Sequence, residues 1–250
     1  MKRLLTNLAV ASILLAGCAK SSVNPPSTAA ALSFVNATVG SPPLIAHFSN
    51  NTKITYSTFS TSNRINYGGS NLYAPVSGTV GLSLVEATDT TQNLFSGNLN
   101  LQNNNVYSLY LTGTAASPDT VFIHENLPHY GVADSVAGIR FVNLSPGSSP
   151  ISVDIQGQAN GSEVASLTYK SHTAFKTYKA DHTVTSYIFE FRDAGTGNLL
   201  ATYTMSGVNN ASSVSLTTTN AVRFHNQTLA LIGQPAGGTV GQSVILVQNY

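Results

Sequence analysis

At 250 residues the chain is long enough for two ordinary domains. Only 8% of the residues are charged, 11 Lys and Arg against 10 Asp and Glu, so the clustered cations that a nucleic-acid backbone demands are missing. The one cysteine excludes an intrachain disulfide, and Ser, Thr, Asn and Gly fill the polar surface that charges usually occupy, a composition that suits an exported β protein.

Residues 1–17 read as an export signal. Lys2 and Arg3 give a positive start, the run from Leu4 to Leu15 is mostly apolar but too short to span a bilayer, and Ala16 and Gly17 supply small residues before a cleavage point. Leu15-Ala16-Gly17-Cys18 resembles the bacterial lipobox, in which the cysteine becomes the lipid-bearing first residue. The resemblance implies a diacylglyceryl thioether and an acylated amine on Cys18, with palmitate among the acyl chains. Several chains anchor stably where one would be marginal. Ala19 in place of Asp implies, by the enterobacterial rule, transfer to the outer membrane. The acidic residues that follow the cysteine in some surface-exposed lipoproteins of the Bacteroidetes are absent from Ala19-Lys20-Ser21-Ser22, so both faces of that membrane stay open.

Residues 18–31 are small, polar and carry Pro25-Pro26, the composition of a tether. Fully extended it reaches on the order of 40 Å, enough to clear the headgroups. With the signal removed, nine basic residues face ten acidic ones.

After the tether no helix-length amphipathic pattern occurs. Short alternating runs take its place, including Val80-Gly81-Leu82-Ser83-Leu84-Val85, Val106-Tyr107-Ser108-Leu109-Tyr110-Leu111 and Ile151-Ser152-Val153-Asp154-Ile155. Alternation predicts one face inward and one in water for each. Turns at Asn66-Tyr67-Gly68-Gly69, Ser145-Pro146-Gly147 and Ala236-Gly237-Gly238 separate the strands, and the spacing predicts antiparallel sandwiches.

The stretch Ile139-Arg140-Phe141-Val142-Asn143-Leu144-Ser145-Pro146-Gly147 has a worn copy, Leu32-Ser33-Phe34-Val35-Asn36-Ala37-Thr38-Val39-Gly40, 107 residues earlier. Looser echoes follow: Tyr67 and Tyr73 with Tyr169 and Phe175, Asn93-Leu94-Phe95 with Asn198-Leu199-Leu200, residues 109–113 with 229–233, and 121–126 with 244–249. The repeat predicts two tandem immunoglobulin-like antiparallel β-sandwich domains, 32–127 and 139–250, joined by a linker at 128–138. Within the motif, Pro146 and Gly147 suit a tight turn, and the Asn143 and Ser145 side chains suit hydrogen bonds to its backbone. A site built from Asn143, Asp154 and their loop is the functional alternative.

Residues 140–155, opening on Arg-Phe-Val-Asn and running through Ser-Pro-Gly to Val-Asp-Ile, resemble the start of the "domain of unknown function 4397" family. The first copy departs from that pattern at Val39, where Pro is usual, and at His47, where Asp is usual. The resemblance implies an exported, often tandem, immunoglobulin-like sandwich, and with the lipobox an outer-membrane lipoprotein of the Bacteroidetes type. It supplies no activity and no functional residue.

Chemistry-bearing patterns are sparse. His124-Glu125-Asn126-Leu127-Pro128-His129 has the second His one place too far for a helical zinc site, and Pro128 forbids the helix. Asp181 and His182, with His172 nearby, form the one acid-base candidate, set in a strand edge and turn. No nucleophile elbow, phosphate loop or calcium loop occurs, so neither catalysis, metal nor cofactor is expected. Tyr67 and Tyr73 flank a Gly-Gly-Ser loop and form the first candidate ligand platform, with Tyr56 and Phe59, and Tyr107 and Tyr110, as further pairs. Asp89-Thr90-Thr91, Asp119-Thr120-Val121 and Asp134-Ser135-Val136 resemble the acceptor pattern of Bacteroidetes O-glycosylation, which implies Thr90, Thr120 and Ser135 as acceptors. The reading is a non-catalytic, lipid-anchored envelope protein with a structural or adhesive role and a glycan or envelope protein as partner. The alternative is a lipoprotein that captures glycan or peptide for an outer-membrane uptake system.

Overall fold

The computed structural model describes residues 28–49, 63–131, 133–210 and 220–249. These residues form strands, and no α-helix occurs among them. The first half contains β1 (Ala31–Asn36), β2 (Leu44–Phe48), β3 (Ser70–Tyr73), β4 (Gly78–Glu86), β5 (Asn93–Leu101), β6 (Val106–Thr114) and β7 (Ser117–His124). The second contains β8 (Val136–Asn143), β9 (Ile151–Ile155), β10 (Val164–Leu167), β11 (Lys176–Lys179), β12 (Ser186–Asp193), β13 (Leu199–Ser206), β14 (Asn226–Ile232) and β15 (Ser243–Asn249).

One order is used twice. In the first half β3-β1-β6-β7 faces β2-β4-β5; in the second β11-β8-β14-β15 faces β10-β9-β12-β13. The architecture is all-β, two tandem immunoglobulin-like sandwiches. Pairing is antiparallel except where the first strand of each half lies parallel beside the penultimate one, β1 on β6 and β8 on β14. The register shift between Leu84 and Val85 recurs between Phe191 and Arg192, so even this irregularity is duplicated.

Register also corrects the repeat. Phe34 sits opposite Leu109 as Phe141 sits opposite Leu229, in keeping with the echo of 109–113 in 229–233. On the last strand, however, Val121 opposite Tyr110 corresponds to Ile245 opposite Ala230, so matching Val121 to Val244 is one residue out. A slip of one exchanges the two faces of a strand. Where both faces carry apolar residues, sequence alone has no signal to choose between registers. The edges of the halves differ slightly from expectation as well. Val136, Ala137 and Gly138, expected in the linker, already pair with β11, and Ala29 bridges to Val76 although it was placed in the tether.

Each half has its own core. Leu32, Phe34, Leu44, Leu82, Leu84 and Leu109 lead the first, and Ile139, Phe141, Val153, Phe189, Phe191 and Leu229 the second. A third cluster belongs to both: Val35, Ala37, Tyr110 and Ile123 pack against Val142, Leu144, Ala230 and Val247. The two inner sheets therefore bury both faces, and the molecule stacks four sheets deep. This overturns the alternation expected for residues 106–111: Ser108 and Tyr110 face the other half rather than water, and both are buried. Ser152 and Asp154 of β9 are also buried, on an outer sheet, where Arg192 lies across Asp154 and the Gly161 amide caps it.

Candidate functional site

The repeated motif is a turn clamp. Asn143 accepts from the Ser145 amide at 3.1 Å and donates to Ser148 Oγ at 3.1 Å and to the Leu167 carbonyl at 3.2 Å. Asn36 does the same with the Thr38 amide at 3.2 Å, Ser41 Oγ at 2.8 Å and the Ile65 carbonyl at 3.3 Å. Both asparagines are fully buried, with every side-chain bond spent on the fold. Gly147 and Gly40 sit at φ +80° and +75°, as the turn requires. Asp154 takes no part in this clamp; it meets Arg192, the Gly161 amide and Glu190, and burial raises its carboxyl above the usual carboxylate range.

The motif's arginine closes the junction between the halves. Arg140 of β8 donates to Glu125 of the first half at 2.7 and 2.5 Å, to Tyr110 Oη at 3.0 Å and to Thr228 Oγ1 at 2.8 Å. The paired side chains are 3% and 1% exposed, and the Phe175 ring lies 4.7 Å from the guanidinium. Burial pulls the Arg140 pKa down, but Tyr110 and Glu125 outweigh it and hold the group above its ordinary value. Thr228 passes the chain on to Asn249, whose amide reaches Ser108 at 3.4 Å. At the rim, Lys170 pairs with Asp119 at 2.7 Å, both partly exposed.

Tyr67 and Tyr73 do not form a shared platform. Tyr67 packs into the cluster between the halves, its buried hydroxyl near the Gly233 backbone without a full hydrogen bond. Its counterpart Tyr169 reaches the other way, to Thr112 Oγ1 at 3.3 Å, so the halves exchange tyrosines across their junction. Tyr73 instead joins the first core, edge-on to Phe48 at 5.2 Å, and burial pushes its hydroxyl up to about 12. Tyr107 and Tyr110 likewise part: Tyr110 faces the junction and Tyr107 the first core. Tyr56, Phe59 and the lipidation residue Cys18 lie outside the described residues.

The ionisable candidates are dispersed. Asp181 accepts from the Thr183 amide and hydroxyl at 2.9 and 2.6 Å and pairs with Lys179 at 2.9 Å, which holds its carboxyl below the usual range. His172 lies near the Arg140 and Glu125 charges, its pKa lowered by burial and then by Arg140. Glu125 is committed to Arg140, so His124 and His129 have no carboxylate between them to share. Among the described residues no three His, Cys, Asp or Glu side chains are grouped to hold a metal. Of the three acceptor positions, Thr90 is exposed in the turn between β4 and β5, Thr120 is half-buried within β7, and Ser135 is half-buried at φ +47°.

Two open features stand out among the described residues. A shallow recess of about 430 Å³ lies where β3 meets β15, lined by Ser70, Asn71, Leu72, Leu246 and Gln248, with Leu72 54% exposed. The other is a row of three rings on β6 and β7. Phe122 stacks on Tyr107 at 5.3 Å and 5°, and His124 stacks on Tyr107 at 4.9 Å. Tyr107 is buried, whereas Phe122 is 40% exposed and His124 is exposed. Sequence reasoning noted His124 for metal chemistry and passed over Phe122, although their alternation with buried Val121 and Ile123 placed both on one face.

Among solved structures, the chain is similar to CBMbc, a family CBM26 module of Eubacterium rectale Amy13K crystallised with maltoheptaose; the two are 11% identical, 88% of this chain and 97% of that one are covered, and the TM-score is 0.27. No curated protein matches the chain. A family profile does match, over residues 30–154, which takes in all of the first sandwich and runs to β9 of the second. That stretch is half of the sequence and contains both clamp asparagines, Asn36 and Asn143, as well as Arg140 and Glu125, and the chain belongs to the family described as Domain of unknown function (DUF4397).

Proposed function

We propose that the chain is a non-catalytic, lipid-anchored module of the outer-membrane envelope, carrying two copies of the family's domain and serving a structural or adhesive role. The observation that carries this reading is the junction. An apolar cluster shared by both halves and a sealed Arg140 to Glu125 pair hold the two sandwiches against each other. Asp119, Glu125, Arg140 and Asp181 are meanwhile spent on turns and the junction rather than converging on a pocket, as catalysis would require. The lipobox-like Leu15-Ala16-Gly17-Cys18 supports anchoring, with the 18–31 stretch as tether.

The test is labelling with radioactive palmitate in cells expressing the wild type and Cys18→Ala. Label and membrane association are expected for the wild type, and loss of both for the variant. Label retained by the variant, or a soluble wild type, would sink the proposal. Protease treatment of intact cells then assigns the face. If the acceptor-like sites are used, intact-mass analysis of native material should show the addition on Thr90 first, the exposed member of the three.

The recess between β3 and β15 favours a second reading, capture of glycan or peptide for an outer-membrane uptake system. Its lining of amides, a serine and two leucines suits a small amphipathic ligand.

A further inference from the structure

We infer that the Phe122 and His124 row is a binding site for a neutral glycan, with the Phe122 ring as the stacking surface and the neighbouring amide turn as the hydrogen-bonding rim. The inference goes beyond the anchored module and gives its adhesive form a ligand class and a location.

Comparison of the two halves carries the argument. By register, Phe122, Tyr107 and His124 of the first half correspond to Leu246, Gln227 and Gln248 of the second. In the second half β13 packs against β15, and the half-buried Leu246 packs on the core. In the first half β5, the counterpart of β13, shares a core with β6, while Phe122 of β7 stays 40% exposed. The same place in the same fold thus carries a half-buried leucine packed on the core in one copy and an exposed ring stacked on Tyr107 in the other. Core packing does not require this, because Leu246 fills the equivalent position without a ring.

The surroundings select the ligand. The Gln102 amide donates to Tyr107 Oη at 3.0 Å, which ties the turn before β6 to the aromatic row. That turn reads Gln102-Asn103-Asn104-Asn105, its first three residues exposed and Asn104 at φ +60°. It offers neutral donors and acceptors at the end of the stacked aromatic row, the combination that suits a pyranose with an apolar C–H face and equatorial hydroxyls. Charge argues against an ionic ligand: Glu125 points away to Arg140, and Asp119 is neutralised by Lys170.

The test is titration of the intact mature chain with a panel of neutral oligosaccharides (gluco-, xylo-, manno- and galacto-configured), followed by calorimetry and by saturation-transfer NMR of the sugar C–H protons. Saturable binding to at least one member is expected, weakened tenfold or more in Phe122→Leu. That variant copies the residue of the other half, so its fold is secured, which the melting temperature checks. Leu199→Ala, exposed on β13 and part of neither open feature, should bind as the wild type does. No saturable binding to any neutral sugar, or unchanged affinity in Phe122→Leu, would overturn the inference. Because palmitate labelling of Cys18 is independent of sugar, failure here leaves the anchoring reading to its own test.

Discussion

At the scale of single residues, burial decides which of two ion pairs across the junction matters. Arg140 and Glu125 are sealed from water, and removing one partner strands the other as a buried charge. Arg140→Met should therefore cost about 3–5 kcal/mol in urea unfolding, with little dependence on salt. Lys170 and Asp119 span the same junction but are 38% and 46% exposed. Lys170→Ala should cost less than about 1 kcal/mol, and the difference should shrink further in 1 M NaCl. Its pH dependence follows from the sign of the shift: the hydrogen bond from Lys170 lowers the Asp119 pKa. The pair's contribution is therefore present above the ordinary carboxylate pKa and is lost as pH falls through the lowered folded value. Wild type and Lys170→Ala should converge in stability below about pH 4. The Asn143 clamp could be read from sequence, because its partners Ser145 and Ser148 lie within five residues and the pattern recurs at Asn36. The role of Arg140 could not, since the Glu125 that defines it stands before the linker, in a stretch that resembled a metal motif.

At the scale of strands, the difference between expectation and structure has one cause. Alternation reports a strand with one wet face, and it served well for β4, whose Val80, Leu82 and Leu84 are buried while the residues between them are not. On β6 and β14 every second residue meets another half rather than solvent, so Ser108, Thr112 and Thr228 mark a buried polar seam instead of a surface. A polar residue in a strand looks the same in sequence whether its partner is water or a second sheet. The glycines that end these strands were visible as an echo, and geometry now gives their reason. Gly113 and Gly233 hold φ +78° and +84°, and a Cβ would meet the Ser117 and Gly241 carbonyl oxygens at 2.4 and 2.2 Å. Alanine at either should cost more than about 1 kcal/mol, since both strain and a backbone clash oppose it. Gly40 and Gly147 have a similar φ but open space around them, so alanine there should cost only the strain, and thermal melts of all four variants would separate the two terms.

At the scale of the molecule, the shared cluster implies that the sandwiches do not unfold separately. Two domains joined only by a linker would show two transitions, each with the stability of its own core. Here Tyr110, Val142 and Ala230 are fully buried only because the other half is present, and separating the halves would expose them together with the Arg140 charge. Wild type should give one calorimetric transition whose van't Hoff and calorimetric enthalpies agree. Arg140→Met, which weakens the junction and leaves both separate cores intact, should lower that transition or split it. The halves produced apart should associate with each other, or with copies of themselves, through the uncovered inner sheets. Two independent transitions in the wild type, or soluble monomeric halves with unchanged melting temperatures, would mean that the junction adds nothing. The same result would remove the junction on which the proposed function rests, so calorimetry on the intact chain bears on function as well as fold.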